Sequence, residues 1–164
     1  MTNIATGGIA PGFSLKTLDG QEVSLGKALR RGPAFVAFFK VSCPVCQFTF
    51  PFLERLYKRY GSDDVAFLGI SQDNAADSKD FARQFGVTFP ILVDGKDYPV
   101  SNGYGLTTVP TFFLIDTDGG VKVSCTGFGR PELEEIAKEL AERRKIALAP
   151  LFAPNENVPA HKPG

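Results

Sequence analysis

The chain has no tryptophan, a single histidine and only three cysteines among its 164 residues. His161 stands near the end of the sequence, so no Cys–His nucleophile pair is available. Three cysteines are too few for a disulfide scaffold. Zinc takes about four ligands, and only Cys125 and His161 could join the other two thiols. No metal and no organic cofactor is expected. Charge of either sign is also missing in excess: 18 Lys and Arg balance 18 Asp and Glu. That balance excludes an electrostatic case for nucleic acid or an acidic membrane surface. No apolar run approaches the roughly 18–20 residues of a membrane span. Residues 1–8 lack the basic and apolar regions of a secretory signal. The expectation is a soluble cytoplasmic protein that engages neither membrane nor nucleic acid.

Apolar residues make up 43% of the chain, with 15 phenylalanines, enough for a single packed core. One domain is expected over residues 1–146, followed by a loose Pro/Ala-rich tail over 147–164. The most informative segment is Cys43-Pro44-Val45-Cys46. It follows a continuous apolar run at 34–39 and precedes a helical pattern. Both thiols are thereby expected in the first turn of a helix leaving a buried strand. Unpaired backbone N–H groups and the positive end of the helix dipole favour a thiolate there. Pro44 suits the first helical position, where its missing N–H has no partner to lose. This spacing lets two sulfurs alternate between dithiol and disulfide. In a reducing compartment it points to catalysis or metal binding rather than a structural bridge.

Patterning supplies the rest of the order. Alternation around Asp19-Gly20 predicts an N-terminal hairpin. Strands are expected at 34–39 and 65–71, and a short one at 89–93. Helices are expected at 44–60 and 74–85, stopped by Gly61 and Gly86, with a kink at Pro51. Residues 97–104 read as an irregular or helical connection. Strands at 111–116 and 121–126 flank the Thr117–Gly120 turn. An amphipathic helix at 131–146 buries Leu133, Ile136, Ala137 and Leu140. Cys125 shares a strand face with Val121 and Val123, the place of a small core residue. Arg130 reads as a helix start and nothing more. The alternation of strands and helices implies a sheet covered on both faces.

Several segments carry a resemblance. Residues 10–15 (Ala-Pro-Gly-Phe-Ser-Leu), Phe38-Phe39, Cys43-Pro44-Val45-Cys46 and Pro51 form its first half. Gly69-Ile70-Ser71, residues 89–94 (Phe-Pro-Ile-Leu-Val-Asp), Thr108-Val109-Pro110-Thr111 and residues 127–135 complete it. In these, over about 8–146, the chain resembles the redoxin branch of the thioredoxin superfamily, the TlpA-like thiol reductases and AhpC/TSA-type peroxiredoxins. The resemblance implies a thioredoxin-like α/β fold: a central mixed β-sheet flanked by helices, with an N-terminal β-hairpin and a central insertion. It implies that Cys43 is the attacking thiol and Cys46 the resolving one. Pro110 would be a cis-proline facing them, and Val109 would offer its backbone to an extended substrate. Lys40 is the nearest ionisable side chain and would support the thiolate.

The chain departs from the branch in named places. TlpA-like chains carry Trp before the first cysteine and Glu three after the second; here these are Ser42 and Thr49. Ala37 stands where thioredoxin keeps a buried Asp. The peroxiredoxin pattern Pro-x-x-x-Thr-x-x-Cys fails in both registers, with Lys40 in place of Thr when counted from Cys43. The resemblance therefore implies thiol–disulfide oxidoreduction first, with a disulfide-containing protein or small-molecule thiol substrate and an upstream thiol reductant. A thiol peroxidase with an antioxidant role is the second reading, and a non-enzymatic redox sensor or binding module the third.

Overall fold

The computed structural model describes residues 3–164, so the first two residues of the expected 1–146 domain lie outside the description. The hairpin forms from β1 (Ser14–Thr17) and β2 (Glu22–Ser24), turning through Gly20 at φ +84°. Ser24 then caps α1 (Leu25–Leu29). The apolar run becomes β3 (Ala34–Phe39), buried along its full length. Its residues alternate between two cores: Phe35, Ala37 and Phe39 face one, while Ala34, Val36 and Phe38 face the other. A strand covered on both sides needs apolar residues at every position, which is why it reads as a run rather than an alternation.

The chain then forms α2 (Pro44–Tyr60), which continues past Pro51, and β4 (Ala66–Ser71). Asn74 accepts a hydrogen bond from the Asp77 N–H and caps α3 (Ala75–Phe85). Gly86 ends that helix at φ +70°, a left-handed backbone that glycine adopts without steric cost. Short elements follow: β5 (Ile91–Val93) and α4 (Pro99–Gly103). Strands β6 (Thr111–Ile115) and β7 (Val121–Thr126) complete a seven-stranded sheet of order β2-β1-β5-β4-β3-β6-β7. The sheet is mixed: β3 runs parallel to β4 and antiparallel to β6. After β8 (Phe128–Gly129) comes α5 (Arg130–Arg144), burying Leu133, Ile136, Ala137 and Leu140 as its periodicity predicts. Helices α2, α3 and α5 contribute to one core; Leu25 of α1, Phe13 and Tyr104 belong to the other.

Residues 147–164 depart from the expected loose tail. They pack back over α2, with Phe152 only 6% exposed beside the Phe52 ring at 5.1 Å. The Arg55 guanidinium holds the Glu156 carboxylate through two 2.7 Å bonds. A last strand, β9 (His161–Lys162), pairs antiparallel with β8. Arg130 does more than begin a helix: it donates to the Val158 carbonyl and lies over the Phe152 ring, 4.9 Å from its centroid. Composition hid this docking because Pro and Ala carry no periodic signal, while one phenylalanine and one ion pair supply the anchor.

Phe152→Ala is therefore expected to destabilise the protein by about 3 kcal/mol, as removal of a buried aromatic side chain does. Denaturant unfolding should show a lower midpoint at unchanged slope. A shift below about 0.5 kcal/mol, as at exposed positions, would return residues 147–164 to a loose tail.

Candidate active site

Four chain crossings meet at one edge of the sheet. Because β3 and β4 are parallel, their carboxyl ends lie together, bringing the loops after Phe39 and Ser71 side by side. Because β6 is antiparallel to β3, Thr111 pairs with Phe38, so Pro110 arrives at the same edge. Thr126 at the end of β7 pairs with Thr111 and brings Gly127 there as well. The Gly127 N–H donates to the Pro110 carbonyl at 2.7 Å, joining the last two crossings. The Val109–Pro110 peptide bond is cis, as the resemblance implies.

Cys43 caps α2: its sulfur accepts the Cys46 N–H at 3.2 Å. Its thiol donates to the Val109 carbonyl at 3.5 Å, so the half-buried sulfur lies directly against the cis-peptide loop. Pro44 occupies the first turn, exposed, where its lack of an N–H costs nothing. Cys46 lies one turn in, completely buried. Burial pushes its pKa well above the ordinary thiol value, and the hydrogen bond with Cys43 pushes the same way. All three cysteines are free thiols. The two residues of the motif thus differ in both access and acidity-determining surroundings.

Two positioning residues escaped the sequence reading. The Asp73 carboxylate accepts the Val41 N–H at 2.8 Å, and the Gln47 amide donates to the Val41 carbonyl at 2.9 Å. Together they clamp the loop that delivers Cys43 to its helix. A usable signal for Asp73 was its place just past a parallel strand end, where open α/β sheets build sites. Lys40 sits on the same edge. Its ammonium lies over the Tyr98 ring, 5.6 Å from the centroid, and among the described residues makes no hydrogen bond to Cys43. Lys40 also lines, with Gln72, Tyr98, Thr108 and Val109, a cleft of about 300 Å³. Val109 is half-buried and Pro110 buried.

The departures noted in the sequence have clear consequences. Thr49 is fully buried, and its hydroxyl has no partner among the described residues. Ala37 is buried in the core that also holds Cys46. Cys125 is a core residue, as expected, and donates to Glu132 at 3.2 Å; burial raises its pKa strongly. Among the described residues no cluster of three or more His, Cys, Asp or Glu could hold a metal.

Comparison with known proteins agrees with this geometry. The AhpC/TSA family model matches residues 6–124. A protein named thiol-disulfide oxidoreductase ResA from Geobacillus thermodenitrificans is 37% identical over 127 residues, 77% of this chain and 72% of the relative. Its namesake from Geobacillus kaustophilus is 35% identical over 150 residues, covering 91% and 81%. The thioredoxin domain of a thiol-disulfide oxidoreductase from Bacteroides vulgatus superposes with a TM-score of 0.74 at 23% identity, covering 84% of this chain and 99% of that one. That last likeness establishes the thioredoxin fold.

Reactivity of a thiol follows its thiolate fraction and its access. Brief alkylation of the reduced protein at neutral pH should label Cys43 and spare Cys46 and Cys125 until denaturant is added. Peptide mapping reads the result, and preferential labelling of Cys46 would reverse the two roles.

Proposed function

Because this chain belongs to the AhpC/TSA family and is a thiol–disulfide oxidoreductase, we propose that Cys43 is its nucleophile and Cys46 its resolving thiol. The observation that carries this reading is the asymmetry of the pair. One sulfur is accessible at a helix N-terminus against the Val109 carbonyl, and the other is sealed beneath it. The Cys43 thiolate attacks one sulfur of a substrate disulfide. A mixed disulfide forms, the substrate S–S bond breaks, and the departing thiolate takes a proton. Cys46 then loses its proton and attacks the Cys43 sulfur, releasing the second substrate thiol and closing a 43–46 disulfide. Two electrons and two protons pass to the substrate. An upstream thiol reductant returns them.

In this reading Val109 supplies the backbone edge that an extended substrate lies along, and Pro110 keeps that edge facing Cys43. Substrates are disulfide-containing proteins or small-molecule thiols in their oxidised form. Lys40 contributes positive charge to the mouth of the cleft. A cytoplasmic setting belongs to the same reading, supported by a sequence with only three cysteines, too few for a structural disulfide framework.

The Cys46→Ser variant should accumulate a mixed disulfide on Cys43, identifiable by mass spectrometry. Failure to trap any disulfide partner, with Cys43 intact and accessible, would remove the reading. The buried Cys46 adds a pH signature. Its raised pKa means that the thiolate needed for resolution is scarce at neutral pH. Decay of a preformed mixed disulfide should therefore accelerate about tenfold per pH unit from neutral upward, following that fraction. A flat profile would mean that another step limits resolution.

Peroxide chemistry should be slow. The position where a peroxidase places its activating Thr holds Lys40, whose ammonium is engaged with Tyr98. Stopped-flow oxidation of the reduced protein by hydrogen peroxide should proceed at about the rate of a free thiolate. A rate orders of magnitude higher would make the thiol peroxidase reading the better one.

A further inference from the structure

The segment after α5 does not stop at the anchor formed by Phe152 and Glu156. It continues along β8, in a separate two-stranded sheet, to the cis-peptide loop. The Arg130 N–H donates to the Ala160 carbonyl at 2.9 Å, and β9 pairs with β8 through Phe128–Lys162 and Gly129–His161. The Lys162 ammonium lies over Phe48, 4.9 Å from the ring centroid, on the helix that carries both active thiols. Gly127 touches the Lys162 carbonyl so closely that no side chain would fit at that glycine. Gly164 then lies on the Val109 backbone. A Cβ at residue 164 would overlap the Val109 carbonyl oxygen and meet Thr108 Oγ1 at 2.9 Å. That carbonyl is the one to which the Cys43 thiol donates.

We infer that residues 159–164 occupy the edge where an extended polypeptide substrate would lie, and so act as an autoinhibitory strap over a dithiol site. The inference rests on the proposed reading of Val109 as the substrate edge. The strap has the form of an extended chain in antiparallel pairing with β8 whose residue 164 lies on the Val109 backbone, as a bound peptide segment does. It also has the means to lift. The apolar anchor, Phe152 and the partly buried Val158, comes before residue 159, whereas His161, Pro163 and Gly164 are exposed. Local opening is easiest where few apolar contacts hold a segment. The cleft lined by Lys40, Tyr98 and Thr108 reaches Val109 from the side, and none of residues 159–164 lines it. The strap therefore discriminates by substrate size: small disulfides enter by the cleft, while polypeptides must first displace residues 159–164.

The decisive comparison uses the full chain and a chain ending at Val158, which keeps Phe152 and the Arg55–Glu156 pair. Each reduced protein is mixed with oxidised glutathione and, separately, with insulin, and the loss of free Cys43 thiol is followed. A strap closed about nine-tenths of the time lowers access of a competing ligand about tenfold. The insulin rate should thus rise about tenfold on truncation while the glutathione rate stays within about twofold. The full-length Gly164→Ala variant should move the insulin rate in the same direction, since its added Cβ cannot share space with the Val109 carbonyl. This second variant decides the matter if the shortened chain does not fold. Equal acceleration by both disulfides, or none with insulin, would overturn the strap. Inertness of every form toward both disulfides would instead overturn the proposed function.

Discussion

Burial of β3 on both faces, with opposite pairing senses on its two edges, is the constraint from which the site follows. A slip of one residue would turn Phe35, Ala37 and Phe39 out of one core and Ala34, Val36 and Phe38 out of the other. Register is therefore fixed by six buried side chains at once rather than by any loop. Once Phe39 has its place, the turn to Cys43 has only three residues to cross. The same register places Pro110 and Gly127 at that edge, through β6 and β7. The Cys43 sulfur and the backbone edge beside it are thus placed by a strand buried on both faces, which is what a site needs for repeatable geometry.

How much of this could be read from the chain depended on sequence distance. The strand at 34–39, the capped helix at 44–60 and the Val-Pro loop announce themselves within a few residues, because run length, Pro44 and Gly61 are local signals. Gly86 marked its helix end for the same reason. The clamp on Val41 was not legible. Gln47 is six residues away and Asp73 thirty-two, and neither type is distinctive on a surface. The docking of 147–164 was less legible still. Its ties join Arg55 to Glu156 and Arg130 to Val158, across 101 and 28 residues. A Pro-rich segment with one buried ring looks the same in sequence whether it docks or trails.

Ala37 and Thr49 stand where the resemblance implies Asp and Glu. Both positions are buried, and neither carries an ionisable group in this chain. Thr49 contributes only a hydroxyl that has no partner among the described residues. The carboxylate whose charge reaches Cys46 is Asp73, and its effect is to raise that thiol's pKa, as burial does more strongly. Cys46 is thus kept protonated at rest, consistent with the proposed reading in which Cys43 attacks. In the proposed reading Cys46 sheds its proton before it attacks, so resolution draws on a thiolate that is scarce at neutral pH. The scarcity follows from a core lined with phenylalanine, where an unpaired charge is costly.

The anchor of the strap bears on how the strap could open. Two hydrogen bonds from Arg55, with a third from the Ala153 N–H, hold the Glu156 carboxyl down to about 2. For a carboxylate whose folded pKa is depressed, the associated stability is complete above its ordinary pKa. It is lost only as pH falls from about 4.5 toward about 2. Glu156 therefore stays ionised and paired over the whole range in which thiols exchange, and acidification in that range does not release residues 147–158. His161 is exposed and does not enter the anchor. What remains is competition at the far end, where residues 159–164 exchange a short ladder and a cation over Phe48 for the equivalent contacts of an incoming chain. A polypeptide that binds Val109 better than Gly164 does opens the site by mass action, with the anchor still in place.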